Sequence, residues 1–368
     1  MIDALRRFAP SFLQRRVSGA TRSTLNLLLR CRTPALGGHR YQCDDCGYSA
    51  VLYNSCGNRH CPQCQGVRRR RWVETQQALL LPVPHFQVVF TLPSELRPIV
   101  LRYPREAYAV LLKASYGALQ KLAATKWHAT PAVLAVLHTW ARDLSFHPHV
   151  HCVIAAGGMT DDDGWVTVSN DFLFHVRPLQ RLFRGLFLGG LRALRLDLHR
   201  AERIRLRNAR RKAALKNWNV YVEPPKGRDP ALMVKYLARY VYQGAISDHR
   251  ILAIDEDTVT IRTRGSEQVT LPGPEFVRRF SQHFLPTGFR RVRHYGLLAP
   301  GARRRLEQAR AITLHLRRQR EPEGVPPDEP PAATIIIGTH RNACPVCDSL
   351  LRVLIVPPDP TGWPRGPP

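Results

Sequence analysis

Residues 146–154, "FHPHVHCVI", alternate in side-chain character with the period of a β-strand. His147, His149 and His151 fall on one face, and Val150, Cys152 and Ile154 fall on the other. The apolar run "AVLAVLHTW" precedes this segment and predicts a partner strand, with a hairpin around residues 142–145. "PVPHFQVVFTLP" reads as a buried strand bounded by prolines, and "WVTVS" as a short strand after the turn "TDDDGW". Helical spacing recurs in residues 105–126 and in "PLQRLFRGLFLGGLRALRLDLH", residues 178–199, whose arginines lie on the wet side. "VRRRRWVETQQALLL" reads as a basic helix, "PGPEFVRRFSQHFLP" as a short one, and residues 300–320 as a second basic helix. Residues 229–243, "DPALMVKYLARYVYQ", open on Asp229 and Pro230, which favour a helix start. Residues 251–271 predict a β-hairpin with a D-E-D turn.

These signals divide the chain. Residues 1–72 form a cysteine-rich N-terminal module, and residues 73–300 the main body. Residues 301–320 are a basic helix, 321–334 a Pro-rich linker, and 335–368 a tail with a lone "CPVC".

Charge narrows the class of partner. Lys and Arg number 55 against 28 Asp and Glu, a net charge of +27. Arginine dominates and suits bidentate contact with phosphate, so nucleic acid is the expected partner. The longest apolar run, "ALLLPVPHFQVVFTLP", is broken by three prolines and is too short to span a membrane. The first residues lack the apolar core of a signal peptide. A cytoplasmic protein is expected, and nine cysteines in a reducing compartment suggest metal rather than disulfides.

The cysteine spacing is specific. Cys43 and Cys46 form one C-x2-C pair, and Cys61 and Cys64 form another, 14 residues on. Two such knuckles complete a tetrahedron around structural Zn²⁺ and predict a small zinc-ribbon-like module. Cys56 and His60 are surplus, able to replace one ligand, hold a second metal or pack inertly. The pair Cys344 and Cys347, with His340 nearby, reads as a half site.

Three histidines at alternate positions arise by chance only about 0.02 times in a chain of this composition. His147, His149 and His151 are therefore candidate ligands of a divalent cation. Tyr236 and Tyr240 lie four residues apart on one helical face. A packed aromatic pair explains them equally well in isolation. Beside a metal that polarises a phosphate, two phenols become candidate nucleophiles, giving a 5′-phosphotyrosine and a free 3′-OH without loss of bond energy.

Together, "CDDC…CGNRHCPQC", "HPHVHC" and "YLARY" resemble the rolling-circle transposases of the insertion sequence 91 family, two-tyrosine enzymes of the HUH class. "CRTPALGGHRYQC", "PVPHFQVVFTLP", "AVLHTWARDLSFHPHVHC", "LARYVYQGAIS" and "FRRVRHYGLLA" extend the likeness over most of the chain. The resemblance implies an α+β fold. An antiparallel sheet would carry the histidines, the tyrosine helix would pack across it, and the zinc module would stand in front. It implies that His149 and His151 bind catalytic Mg²⁺ or Mn²⁺, with His147 or Gln243 as third ligand. Tyr236 and Tyr240 would be the nucleophiles, and Tyr242 would be structural. Residues 73–300 would be the catalytic domain and 1–72 a DNA-binding one. The partner would be single-stranded or hairpin DNA ends of its own element, in a bacterial, nucleoid-associated setting. The stretch before "CRTPALGG" is shorter than the family's leading helices. Rival readings are an HUH replication initiator or relaxase, a zinc-ribbon DNA binder without catalysis, and a carboxylate-triad nuclease using Asp161 to Asp163 and Asp255 to Asp257.

Overall fold

In a computed structural model the described residues are 1–169, 171–225, 230–242, 244–320 and 343–359. Helices α1 (Ile2–Leu13) and α2 (Gly19–Leu29) come first, and the Ser18 side chain caps α2 by accepting from the Thr21 amide at 3.1 Å. Strands β1 (Gly38–Gln42) and β2 (Ser49–Tyr53) pair antiparallel, and α3 (Gly66–Leu79) follows the last cysteine knuckle. The main body then runs β3 (His85–Thr91), α4 (Arg97–Arg102), α5 (Pro104–Lys126), β4 (Ala129–Trp140) and β5 (Phe146–Thr160). It continues through β6 (Trp165–Thr167), α6 (Val176–Ala193), α7 (Arg200–Ala214), β7 (Val220–Glu223) and α8 (Pro230–Tyr242). The D-E-D turn joins β8 (Ile251–Ile254) to β9 (Thr258–Arg262), and a second turn adds β10 (Gln268–Pro272), so the predicted hairpin is a three-stranded meander. Last come α9 (Gly273–Ser281), β11 (Val292–Gly296), α10 (Arg303–Arg320) and β12 (Arg352–Val356).

The central sheet has the order β11-β4-β5-β3-β7, with β6 paired to the end of β5, and every pairing is antiparallel. Both of its faces are covered, which is why β4 reads as an unbroken apolar run. On one face Val133, Ala135, Leu137, Val150, Cys152 and Ile154 pack against α5 and α6. On the other, Ala132, Leu134, Val136, Val153 and Ala155 pack against Val234, Leu237 and Val241 of α8 and against α10. His138, His149 and His151 share the parity of this second face. The helix carrying the two tyrosines therefore lies across the same side of the sheet as the histidines. A further core joins α1, α2, α9 and the meander, and it includes Cys31 and Cys61.

Gly296 ends β11 with φ at 59°, and a Cβ there would overlap the carbonyl oxygen of Pro131 in β4. Gly296→Ala should lower stability by more than about 1 kcal/mol, read from the denaturant midpoint.

Candidate functional site

The turn after β4 is closed by the Ala141 amide donating to Ser145 at 3.0 Å and the Leu144 amide to Ala141 at 3.1 Å. Trp140 then pairs with Phe146, but His138 pairs with His149. One extra residue is accommodated on β5, where His147 and Pro148 stand opposite Thr139. This is a β-bulge, and bulges tolerate proline because the ladder is already interrupted. The bulge brings His138 opposite His149.

His138, His149 and His151 form one cluster, each offering a ring nitrogen within 4.8 Å of the others. His138 lies 4.2 Å from His151 and 5.2 Å from His149, measured between ring centroids. The third member of the cluster is thus His138, from the neighbouring strand. His147, the expected third ligand, is engaged elsewhere: Arg97 approaches its Nδ1 at 2.8 Å. An arginine can only donate, so His147 Nδ1 accepts and its hydrogen sits on Nε2. The other candidate, Gln243, lies outside the described residues.

The cluster suits a divalent cation. His149 Nδ1 donates to the backbone oxygen of His147 at 2.6 Å, which leaves the Nε2 lone pair available. Burial holds His149 down to about 4, and holds His138 and His151 well below 6.5. All three rings are therefore neutral near pH 7, the state in which imidazole binds metal.

These histidines open into a cavity of about 510 Å³. Gly244 to Ser247, His249 and Arg250, from the chain just beyond α8, also line it, as do Arg142 and His147. Tyr236 and Tyr240 are one turn apart in α8, and their side chains lie outside the described residues. Tyr242 packs beside Trp72 of α3, centroid to centroid 6.0 Å, in keeping with a structural role.

The cysteines separate into two quartets, which corrects the expected grouping of Cys43, Cys46, Cys61 and Cys64. Cys61 and Cys64 join Cys31 and Cys56, while Cys43 and Cys46 join Cys344 and Cys347. The division follows from the strands. The first knuckle sits at the end of β1, whose free edge pairs with β12 from the tail. The second knuckle folds back onto the end of α2, beside Cys31. Sulfur separations of 3.3 Å (Cys31–Cys64), 3.6 Å (Cys61–Cys31) and 3.7 Å (Cys56–Cys64) approach the edge of about 3.8 Å expected for Zn²⁺ with four thiolates at about 2.3 Å. The neighbouring Cys61 thiol holds Cys56 down to about 5, so a thiolate is already favoured there. His60 is a strut rather than a ligand: its Nε2 accepts from the Leu285 amide at 3.2 Å. Arg59 donates to the carbonyls of Phe289 and Pro286 at 2.6 and 2.9 Å. The knuckle is thereby fastened to the main body, and Cys61 packs in the same core as Trp140, Ala245 and Ile246, which border the histidine cavity.

Asp161 to Asp163 and Asp255 to Asp257 occupy exposed turns, closed by Thr160–Gly164 and Asp255–Thr258 hydrogen bonds. Among the described residues no carboxylate joins a cluster of candidate ligands.

A buried neutral histidine stabilises the fold above its unfolded pKa and loses that contribution as pH falls, because the unfolded chain takes up the proton first. Metal-free protein should therefore lose stability between about pH 6.5 and pH 4, at about 1.4 kcal/mol per pH unit for each such histidine. His149→Gln should make the slope shallower by about one histidine's share, as measured by denaturant midpoints across that range.

Residues 4–92 match a family described as "Transposase zinc-binding domain", and residues 132–306 match one described as "Putative transposase". A curated "Putative transposase y4qJ" of Sinorhizobium fredii is 38% identical over 80% of this chain and 79% of its own length. The "Transposase for insertion sequence element IS801" of Pseudomonas savastanoi pv. phaseolicola is 30% identical over 75% of this chain and 70% of its own. A solved conjugative relaxase, TrwC in complex with oriT DNA, aligns over 61% of this chain and 95% of its own with 10% identity. Its TM-score of 0.24 is too low to carry an argument. No helix among the described residues is long and apolar enough to cross a membrane. With both transposase domains matched in order and one relative alike over four-fifths of the chain, the protein belongs to the insertion sequence 91 family of transposases.

Proposed function

We propose that the chain nicks and rejoins single DNA strands through a 5′-phosphotyrosine intermediate, as an HUH-type strand transferase in rolling-circle transposition. The observation that carries this reading is the neutral cluster of His138, His149 and His151 opening into a cavity walled by the chain that leaves the tyrosine helix. His138, His149 and His151 would hold a divalent cation such as Mg²⁺ or Mn²⁺, which when bound would supply Lewis acidity to a phosphate oxygen.

The remaining chemistry belongs to the chain. The phenolic oxygen of Tyr236 or Tyr240 attacks phosphorus, and a P–O bond to tyrosine forms. The P–O bond to the 3′-oxygen breaks, that oxygen takes up a proton, and the phenol proton passes to solvent. A later attack by a DNA 3′-OH reverses the exchange and restores the phenol. Two tyrosines permit one strand end to be held while the other phenol attacks. His147 has a different part from the one its position suggests. With Nδ1 engaged by Arg97, its Nε2–H can donate to a phosphate oxygen at the cavity margin. The charge of +27 provides the sequence-independent attraction to the DNA backbone, which weakens as salt rises.

The test is a covalent-adduct assay with labelled single-stranded DNA carrying the element's end, with Mn²⁺ or Mg²⁺, resolved on a denaturing gel. A metal-dependent adduct should survive either single Tyr→Phe change at least in part and vanish in the Tyr236→Phe, Tyr240→Phe double variant. His138→Ala should reduce adduct formation by about 100-fold or more, whereas His147→Ala should reduce it by roughly 10-fold. Equal losses at the two histidines would remove the distinction between ligand and phosphate donor. A protein that binds the DNA and forms no adduct is a DNA binder without this chemistry.

A further inference from the structure

The family match to a zinc-binding domain ends at residue 92, yet one of the two cysteine quartets takes half of its sulfurs from the other end of the chain. We infer that Cys43, Cys46, Cys344 and Cys347 hold a second Zn²⁺, a closed tetrathiolate site that clasps the C-terminal tail onto the N-terminal module.

The two halves are built alike. The Cys43 amide donates to the Tyr48 carbonyl at 2.8 Å, and the Cys344 amide donates to the Ser349 carbonyl at 2.8 Å. The Cys43 carbonyl accepts from the Gly47 amide at 3.2 Å, and the Cys344 carbonyl accepts from the Asp348 amide at 2.9 Å. The residue after each second cysteine has positive φ, 73° at Gly47 and 58° at Asp348. Both C-x2-C segments are thus the same tight knuckle, with two sulfurs each turned to one centre. Cys43 lies 3.5 Å from Cys347, and Cys46 lies 3.5 Å from Cys344, sulfur to sulfur. All four sulfurs lie within 4.8 Å of one another. These separations match the edges of a ZnS4 tetrahedron, and thiolates select a borderline-soft cation over Mg²⁺ or Mn²⁺.

The strands beside the knuckles say the same. β12 pairs with β1 from Gly38↔Val356 to Gln42↔Arg352, making the ribbon sheet β12-β1-β2. Its small core among described residues is Cys43, Cys344 and Leu351, with Tyr41 and Tyr48 packed on it. So small an apolar contact contributes little beside the backbone ladder, and four thiolates on one metal would hold the tail far more firmly. The site has no open position and is structural.

The inference is independent of strand transfer and is tested on the full-length protein by its metal content. Purified protein should carry two zinc ions per chain. The Cys344→Ser, Cys347→Ser variant should carry one, and its residues 343–359 should become sensitive to protease while the main body remains folded. Cobalt substitution gives a second readout: two equivalents should titrate with the visible ligand-field bands of tetrahedral thiolate coordination in the wild type, and one in the variant. One zinc in the wild type, two in the variant, or a disulfide among these four cysteines in alkylated, unreduced protein would each overturn it.

Discussion

The hairpin of β4 and β5 holds the site together through its register. A regular ladder continued from the Trp140–Phe146 pair would set Leu137 opposite His149 and turn His138 to the other face of the sheet, into the core under α5 and α6. The bulge at His147 and Pro148 adds one residue to β5 and changes the parity. It also frees the His147 carbonyl from the ladder, and that carbonyl fixes the His149 ring. One irregularity therefore gathers the third imidazole, sets a tautomer and diverts His147 toward Arg97. Burial by the surrounding sheet and helices then keeps the rings neutral.

Much of this was legible in the residues. Alternation placed His147, His149 and His151 on one face. Helical spacing placed Tyr236 and Tyr240 in a helix that packs on that side of the sheet. The apolar runs at β3, β4 and α5 lie within a few residues of their predicted bounds. His138 was missed because β4 is apolar on both faces, so a lone histidine in it reads as a core residue, and an ideal register points it away. The proline in "HPH" was the available signal, since proline inside a central strand marks a bulge. The cysteines group differently from the expectation for another reason. Sequence proximity favoured Cys43, Cys46, Cys61 and Cys64, but the β1 edge recruits a strand from the far end of the chain. Cys31 lacks a paired neighbour, so no spacing rule selects it. Long-range pairing of this kind leaves no local pattern.

The two quartets have unequal relations to the main body. The tail quartet closes a ribbon whose own core is slight. The Cys31 quartet is sunk in the core formed by α1, α2, α9 and the meander, and it leads directly into α3, which packs along α8. Arg59 and His60, within the same knuckle, grip residues 285 to 289. A cysteine knuckle, the tyrosine helix and the cavity wall are thus parts of one packed unit. A metal held by the Cys31 quartet would support the geometry of the site without touching its chemistry.

Charge is distributed to match a phosphodiester. Arg291 is buried behind the site, donates to the Val241 carbonyl at 3.1 Å near the C-terminal end of α8, and stands 5.7 Å from the Trp140 ring. A cation at a helix C-terminus is favourable, so this contact anchors α8 to the end of the histidine strand. Burial holds His138, His60 and His283 below the usual imidazole range, and the Arg291 charge adds to that effect. The three clustered histidines that line the cavity are therefore kept neutral, while Arg142 and Arg250 line it too. Neutral imidazoles able to take a cation, with arginines lining the same cavity, would suit a phosphate without placing a fixed positive charge among the three rings.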